Sequence, residues 1–152
     1  MDVFEQLRAL LDVALAVLLG GAIGYEREKK DKPLGLRTNM LIAGASALLL
    51  IIGRFIGHAM DNNLPAETLG IDPTRIIHAI IVGVSFIGAG TILKSNKAES
   101  VKYLTTAATI LISAGTGMSV ALRLYILALG ATLLGLLVNA VFSKIETKNT
   151  GG

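Results

Sequence analysis

Five apolar stretches, set apart by short polar segments, frame this chain. The first runs from about Ala9 to Tyr25 and is broken only by Asp12; the second, from about Thr38 to Gly57, carries Arg54 near its far end. The third, Ile76 to Leu93, contains one titratable residue, His78. From Leu104 to Phe142 the only charge is Arg123, and a stretch that long has to fold back once. A helix needs about 20 apolar residues to cross about 30 Å of hydrocarbon, so the pattern predicts an all-α, polytopic membrane bundle of about five transmembrane helices. Gly115-Thr116-Gly117-Met118-Ser119 is the poorest helix-forming segment of the last stretch and is the expected turn between spans four and five. Span four would then be short, about 16 residues or roughly 24 Å. Span five, about Val120 to Phe142, would tilt to compensate.

Positive charge orients the bundle. Arg27, Lys29, Lys30, Lys32, Arg37, Lys94, Lys97, Lys102, Lys144 and Lys148 fall in one set of alternate connections. Arg8, Arg54, Arg75 and Arg123 fall in the other. Ten against four predicts the amino terminus outside and the carboxyl terminus in the cytoplasm. The longest connection is His58 to Asp72, and it ends well for a helix start, with Asp72 as cap and Pro73 in the first helical position. Residues 1–145 read as a single transmembrane domain and 146–152 as a short polar, irregular tail. The first stretch reads as a retained span, because Asp2, Glu5 and Arg8 do not make a positive leader.

Composition strengthens the membrane reading. Of 152 residues 53% are hydrophobic and 16% charged, against about 25% charged in soluble domains, and the mean hydropathy is +0.67. The net charge of +3 comes from residues scattered between apolar runs, not from a basic patch with interleaved aromatics, which argues against nucleic-acid binding. Cysteine is absent, so disulfides, thiolate nucleophiles and thiolate metal sites are excluded.

In lipid, helices associate through small residues that let backbones approach. Gly20 and Gly24, Gly53 and Gly57, and Ala79 and Gly83 each stand four apart and are the expected packing positions. Gly88-Ala89-Gly90 leaves a turn of span three almost without side chains, which suits a close contact, a local unwinding or a ligand that meets backbone. These small-residue motifs also make a homo-oligomer a reasonable expectation.

Placing polar residues by depth brings four separate segments to one level on the expected cytoplasmic side. They are Glu26 and Arg27, then Arg37, Thr38 and Asn39, then Gly88, Ala89 and Gly90, and finally Thr105 and Thr106. Such a cluster can bind an anion, a lipid headgroup or a partner, or a cation such as Mg²⁺ through Glu26, with Asp12 the other candidate ligand should a cation bind. Arg27 and Arg37 fit equally well as interfacial anchors that reach to lipid phosphates. At the outer face Asp72, Arg75 and His78 share one helix stripe, with Asp12 as a candidate partner for His78. No catalytic motif is present: the glycines of Gly83 to Gly90 lack the Lys-Ser or Lys-Thr of a phosphate loop, and two His without a carboxylate pair make no zinc site. The expected class is a non-enzyme.

Several motifs together resemble the MgtC/SapB family of bacterial inner-membrane proteins. They are Gly20-Gly21-Ala22-Ile23-Gly24-Tyr25-Glu26-Arg27-Glu28, Lys32-Pro33-Leu34-Gly35-Leu36-Arg37-Thr38, Asp72-Pro73-Thr74-Arg75, Gly83-Val84-Ser85-Phe86-Ile87-Gly88-Ala89-Gly90-Thr91 and Leu104-Thr105-Thr106-Ala107-Ala108-Thr109. The resemblance covers about residues 10 to 140. It implies a multi-pass inner-membrane protein linked to magnesium limitation, acid stress and virulence, with signature positions at Glu26, Arg27, Gly35, Arg37, Thr38, Asp72, Arg75, Gly88, Gly90, Thr105 and Thr106. It further implies action on a membrane partner such as the proton-driven ATP synthase; transport of Mg²⁺ or another small ion is the alternative, and binding of anionic lipid a third. No cofactor is implied apart from Mg²⁺ itself. The chain departs from the family at Asn39, usually His, and at Gly83-Val84-Ser85-Phe86, usually Gly-Ile-Gly-Phe. The carboxyl-terminal soluble domain of many members does not appear in this sequence, so the expectation is the short, SapB-like type.

Overall fold

A computed structural model of the chain describes residues 2–61, 73–93 and 100–149. They form five α-helices: α1 (Val3–Lys29), α2 (Leu36–Asp61), α3 (Pro73–Leu93), α4 (Ser100–Ala121) and α5 (Tyr125–Asn149). Val3–Lys29, Leu36–Gly57, Thr74–Leu93 and Tyr103–Ala121 are each long and apolar enough to span a membrane. The apolar part of α5, Tyr125–Ala140, is shorter, at roughly 24 Å.

The bundle is built with small residues inside and large ones outside. Ala16, Ala43, Ala47, Ser46, Ser113 and Ala114 are buried, whereas Leu18, Leu41, Val82, Phe86 and Leu133 are each more than 60% exposed. Water would penalise so continuous an apolar exterior. Lipid does not, and tight contact between small residues is what holds helices together there. The chain is an α-helical membrane protein. Helix α4 lies at the centre and touches all four others, whereas α1 and α3 do not meet.

Glycines set the closest approaches. A methyl group on Gly20 would fall 2.6 Å from the Cβ of Ala43, and one on Gly24 would fall 2.7 Å from the Cα of Leu36, so α1 rests directly on the α2 backbone. Gly117 of α4 lies against the carbonyl of Ala43, and Gly53 of α2 lies against Ile76 of α3. Gly57 is half-buried near the end of α2. Gly83 was expected to pack in the same way and does not: a methyl group there would have nothing within 4 Å among the described residues.

The turn between α4 and α5 also differs from expectation. Gly115 to Ser119 is helical, and the chain breaks at Leu122–Leu124. Arg123 takes the left-handed conformation with φ 61°. Its N–H bonds to the Val120 carbonyl at 2.8 Å and that of Leu124 to the Ser119 carbonyl at 2.9 Å, the paired bonds of a Schellman helix end. Gly117 is therefore a packing residue against α2, not a breaker, and α4 is a full-length helix of 22 residues. The same cap closes α1, where Asp31 is left-handed with φ 50° and the Lys32 N–H reaches the Arg27 carbonyl at 3.0 Å. Pro33 follows and forbids continuation. Helix α5 continues to Asn149, so most of the expected irregular tail has helical backbone. Pro73 opens α3 as expected, and Asp72 lies outside the described residues.

Candidate functional site

The ends of α1 and α3 and the starts of α2 and α4 meet at the lysine-rich end of the bundle, and there Arg27, Asn39, Thr106 and Ser113 are completely enclosed. Arg27 is 0% exposed. Its guanidinium donates from Nη1 to Thr109 Oγ1 at 2.9 Å and from Nη2 to Thr106 Oγ1. The Nε and Nη2 groups also reach the Pro33 carbonyl at 3.4 and 3.2 Å. Four of the five N–H donors of a guanidinium thus have partners on α4 and on the connection after α1. The hydroxyl proton of Thr109 is given to the Thr105 carbonyl at 2.8 Å, which leaves its lone pairs for Arg27.

Asn39 is also 0% exposed. Its Nδ2 donates to the Leu34 and Gly35 carbonyls at 2.7 and 2.9 Å, and its Oδ1 accepts from Ser113 Oγ at 2.7 Å. Leu34 is left-handed with φ 54°, a conformation that costs a non-glycine residue roughly 1–2 kcal/mol. The carbonyls on either side of that strain, Pro33 and Leu34, are the ones held by Arg27 and Asn39. Glu28 Oε2 accepts the Leu36 N–H at 2.8 Å and so caps the start of α2 from α1. Gly35 makes room for it, since a methyl group there would lie 2.9 Å from that oxygen.

Glu26 is mostly buried and pairs with Lys30 one turn on, and Lys30 also donates to the Asn139 carbonyl of α5 at 3.2 Å. The contact is one of charge, because neither carboxylate oxygen has a hydrogen-bond partner of ordinary geometry among the described residues.

Of the ten residues expected at this level, Arg27 and Thr106 share one network, Asn39 anchors a second on the adjoining Leu34 and Gly35 carbonyls, and Glu26 borders the first. Gly88 packs on α4, where a methyl group would lie 3.1 Å from the Cβ of Ala107. Ala89 and Gly90 are exposed in unbroken helix, so local unwinding, one of the three alternatives for this turn, does not occur. Arg37 is exposed on the bundle surface, Thr38 is half-buried beside it, and Thr105 contributes its carbonyl to Thr109. Thr109, Ser113 and Pro33 were not anticipated. A signal existed: Thr106, Thr109, Ser113 and Thr116 step by 3, 4 and 3 along α4 and make one buried polar stripe.

The opposite end carries no comparable network among the described residues. Asp12 accepts a hydrogen bond from the Tyr125 hydroxyl at 2.9 Å. It does not pair with His78, which is exposed on α3, a helix that α1 does not touch. Arg75 is exposed as well. Arg54 donates to the Ala121 carbonyl at 2.9 Å and caps the end of α4.

Fold and site together define a helical membrane protein whose first connection is fastened to its central helix by a buried arginine and asparagine. Residues 13–148 match the model of the MgtC family. The chain belongs to that family. It is 39% identical over 136 residues to "Putative magnesium transporter YhiD" of Escherichia coli K12, covering 90% of this chain and 61% of that protein. It is 38% identical over 142 residues to Protein SapB of Bacillus subtilis 168, covering 93% and 59%. It is 36% identical over 136 residues to Protein MgtC of Salmonella typhimurium LT2, covering 89% and 52%. The chain thus spans about half to three fifths of the length of these curated relatives, SapB included. No solved structure matches it.

Proposed function

We propose that this chain is a non-enzymatic protein of the bacterial inner membrane that helps the cell adapt to magnesium limitation and acid stress by engaging a membrane partner, such as a subunit of the proton-driven ATP synthase. The observation that carries this reading is the pairing of Arg27 and Asn39: four guanidinium N–H groups and both ends of the Asn39 amide are bound to hydroxyls of α4 and to backbone, as in a rigid platform. Tyr25, Lys29 and Asp31 are exposed around that platform, where a partner can reach them. The excess of Lys and Arg in the connections at this end supports a cytoplasmic orientation for it. Co-reconstitution with ATP synthase in liposomes tests the proposal. ATP-driven proton pumping should change in proportion to the added protein, and unchanged pumping contradicts the reading.

A second reading, transport of Mg²⁺, is favoured by the name that the Escherichia coli relative carries and by the shielded carboxylate of Glu26. It predicts Mg²⁺ flux into liposomes that disappears in Glu26→Gln. Absence of flux from the wild-type protein contradicts it.

A further inference from the structure

An open groove of about 610 Å³ runs between α2 and α3 on the lipid-facing side of the bundle. Its origin lies in the way α3 leans. At one end α3 rests on α2, with Ile76 seated on Gly53; at the lysine-rich end it rests on α4 instead, with Gly88 against Ala107. Between those two contacts α2 and α3 diverge, and at the middle of the gap a methyl group on Gly83 would have nothing within 4 Å among the described residues. The result is a wedge, closed at Gly53–Ile76 and opening along α3 toward the lysine-rich end.

The groove extends from Thr38 to Leu49 along α2 and from Ile76 to Ile87 along α3. At 1.5 Å per residue either wall is roughly 16 Å long, about half of the ~30 Å hydrocarbon core, which is the depth of one leaflet. The walls are Leu, Ile, Val, Ala and Gly apart from the hydroxyls of Thr38 and Ser46. At the open end stands Arg37, exposed and on the helix stripe of Leu41 and Ala45, which line the groove one and two turns further in. A slot one leaflet deep with a guanidinium at its mouth matches an anionic amphiphile in both length and charge.

We propose that this groove seats one acyl chain of an anionic phospholipid whose phosphate is held by Arg37. The guanidinium fork suits a phosphate, and lipid already lies at the open side of the wedge. A second copy of the chain would offer an apolar helix face to these walls but no phosphate to Arg37. Arg27 takes no part, because it is enclosed and bound to Thr106, Thr109 and Pro33.

Native mass spectrometry of the protein released from nanodiscs of phosphatidylcholine with a minority of phosphatidylglycerol tests the proposal. The wild-type chain should retain one phosphatidylglycerol, enriched roughly tenfold over its share of the bilayer, as a charge-assisted phosphate contact implies. Arg37→Gln should keep a bound lipid and lose the headgroup preference. Gly83→Leu fills the groove from α3, where no neighbour opposes it, and should lose the retained lipid while unfolding at an unchanged temperature. Ala45→Phe fills it from α2 and should do the same, which guards against misfolding of either variant. Retention of phosphatidylglycerol at no more than its bulk share overturns the proposal, as does full retention in both filled variants. A wild-type dimer that both filled variants convert to monomer, with lipid retention unchanged, assigns the groove to a second copy and overturns it as well.

Discussion

The Arg27 guanidinium of α1 donates to the hydroxyl of Thr106 on α4, a residue 79 positions further along the chain. That contact, with its neighbours at Thr109 and Pro33, places a buried cation where no carboxylate meets it directly. Its N–H groups go to hydroxyls of α4 and to a carbonyl of the connection after α1, while the adjacent Glu26 carboxylate acts on its charge. Removing the cation leaves those acceptors unpaired inside the bundle. Keeping the charge without the fork leaves some of them unpaired too.

Arg27→Met should therefore destabilise the folded protein by about 1–3 kcal/mol, the cost of leaving buried hydrogen-bond partners unsatisfied. Arg27→Lys should restore only part of this, because an ammonium cannot reach the two threonines and Pro33 with the planar geometry of the guanidinium. Unfolding by sodium dodecyl sulfate titration in mild detergent measures both. A lysine variant as stable as wild type would contradict the role of the fork.

Asn39 separates backbone holding from helix pairing. Ser113→Ala removes one interhelical hydrogen bond and should cost about 0.6 kcal/mol, the average inside membrane proteins. Asn39→Leu also deprives the Leu34 and Gly35 carbonyls of their donor and should cost about 1–3 kcal/mol more. Asn39→His retains one donor and one acceptor and should fall between the two. The same titration ranks the three variants.

Two glycines make opposite predictions. Gly117→Ala drives a methyl group into the Ala43 carbonyl and should separate α2 from α4, lowering stability by more than about 2 kcal/mol. Gly83→Ala meets nothing and should be neutral or stabilise by up to about 1 kcal/mol through helix propensity. Thermal unfolding followed by circular dichroism distinguishes them.

Thr116 is buried, and its hydroxyl has no hydrogen-bond partner among the described residues. Thr116→Val keeps the shape and removes the unpaired group, so it should stabilise by about 1 kcal/mol. A loss of stability in the same unfolding assay would mean that the hydroxyl is bonded in the membrane.

Much of this architecture is legible in the sequence because lipid imposes one simple demand, about 20 apolar residues for each crossing. Five apolar stretches became five helices, and Arg27, Asn39 and Thr106 came into view as polar residues at one depth. The turn at Arg123 was hidden for a physical reason. Glycine disfavours helix in water, but in a membrane bundle Gly117 admits the α2 backbone and stays helical, while the left-handed turn fell on an arginine that carries no such mark. Thr109 and Ser113 were missed because a lone hydroxyl in an apolar helix resembles an ordinary packing residue; only their spacing with Thr106 and Thr116 gives the stripe away. Placement of Arg37 and Gly83 depended on the lean of α3, which is set by Gly53 and Gly88 together and cannot be read from either alone.

The central claim is that the connection after α1 is fastened to α4 through Arg27, and a double-mutant cycle tests it most directly. Arg27→Met, Thr106→Val and the pair should be unfolded under one condition. A coupling of about 1–3 kcal/mol between the two sites is the result predicted here. Additive effects, with coupling within about 0.3 kcal/mol of zero, would contradict the account.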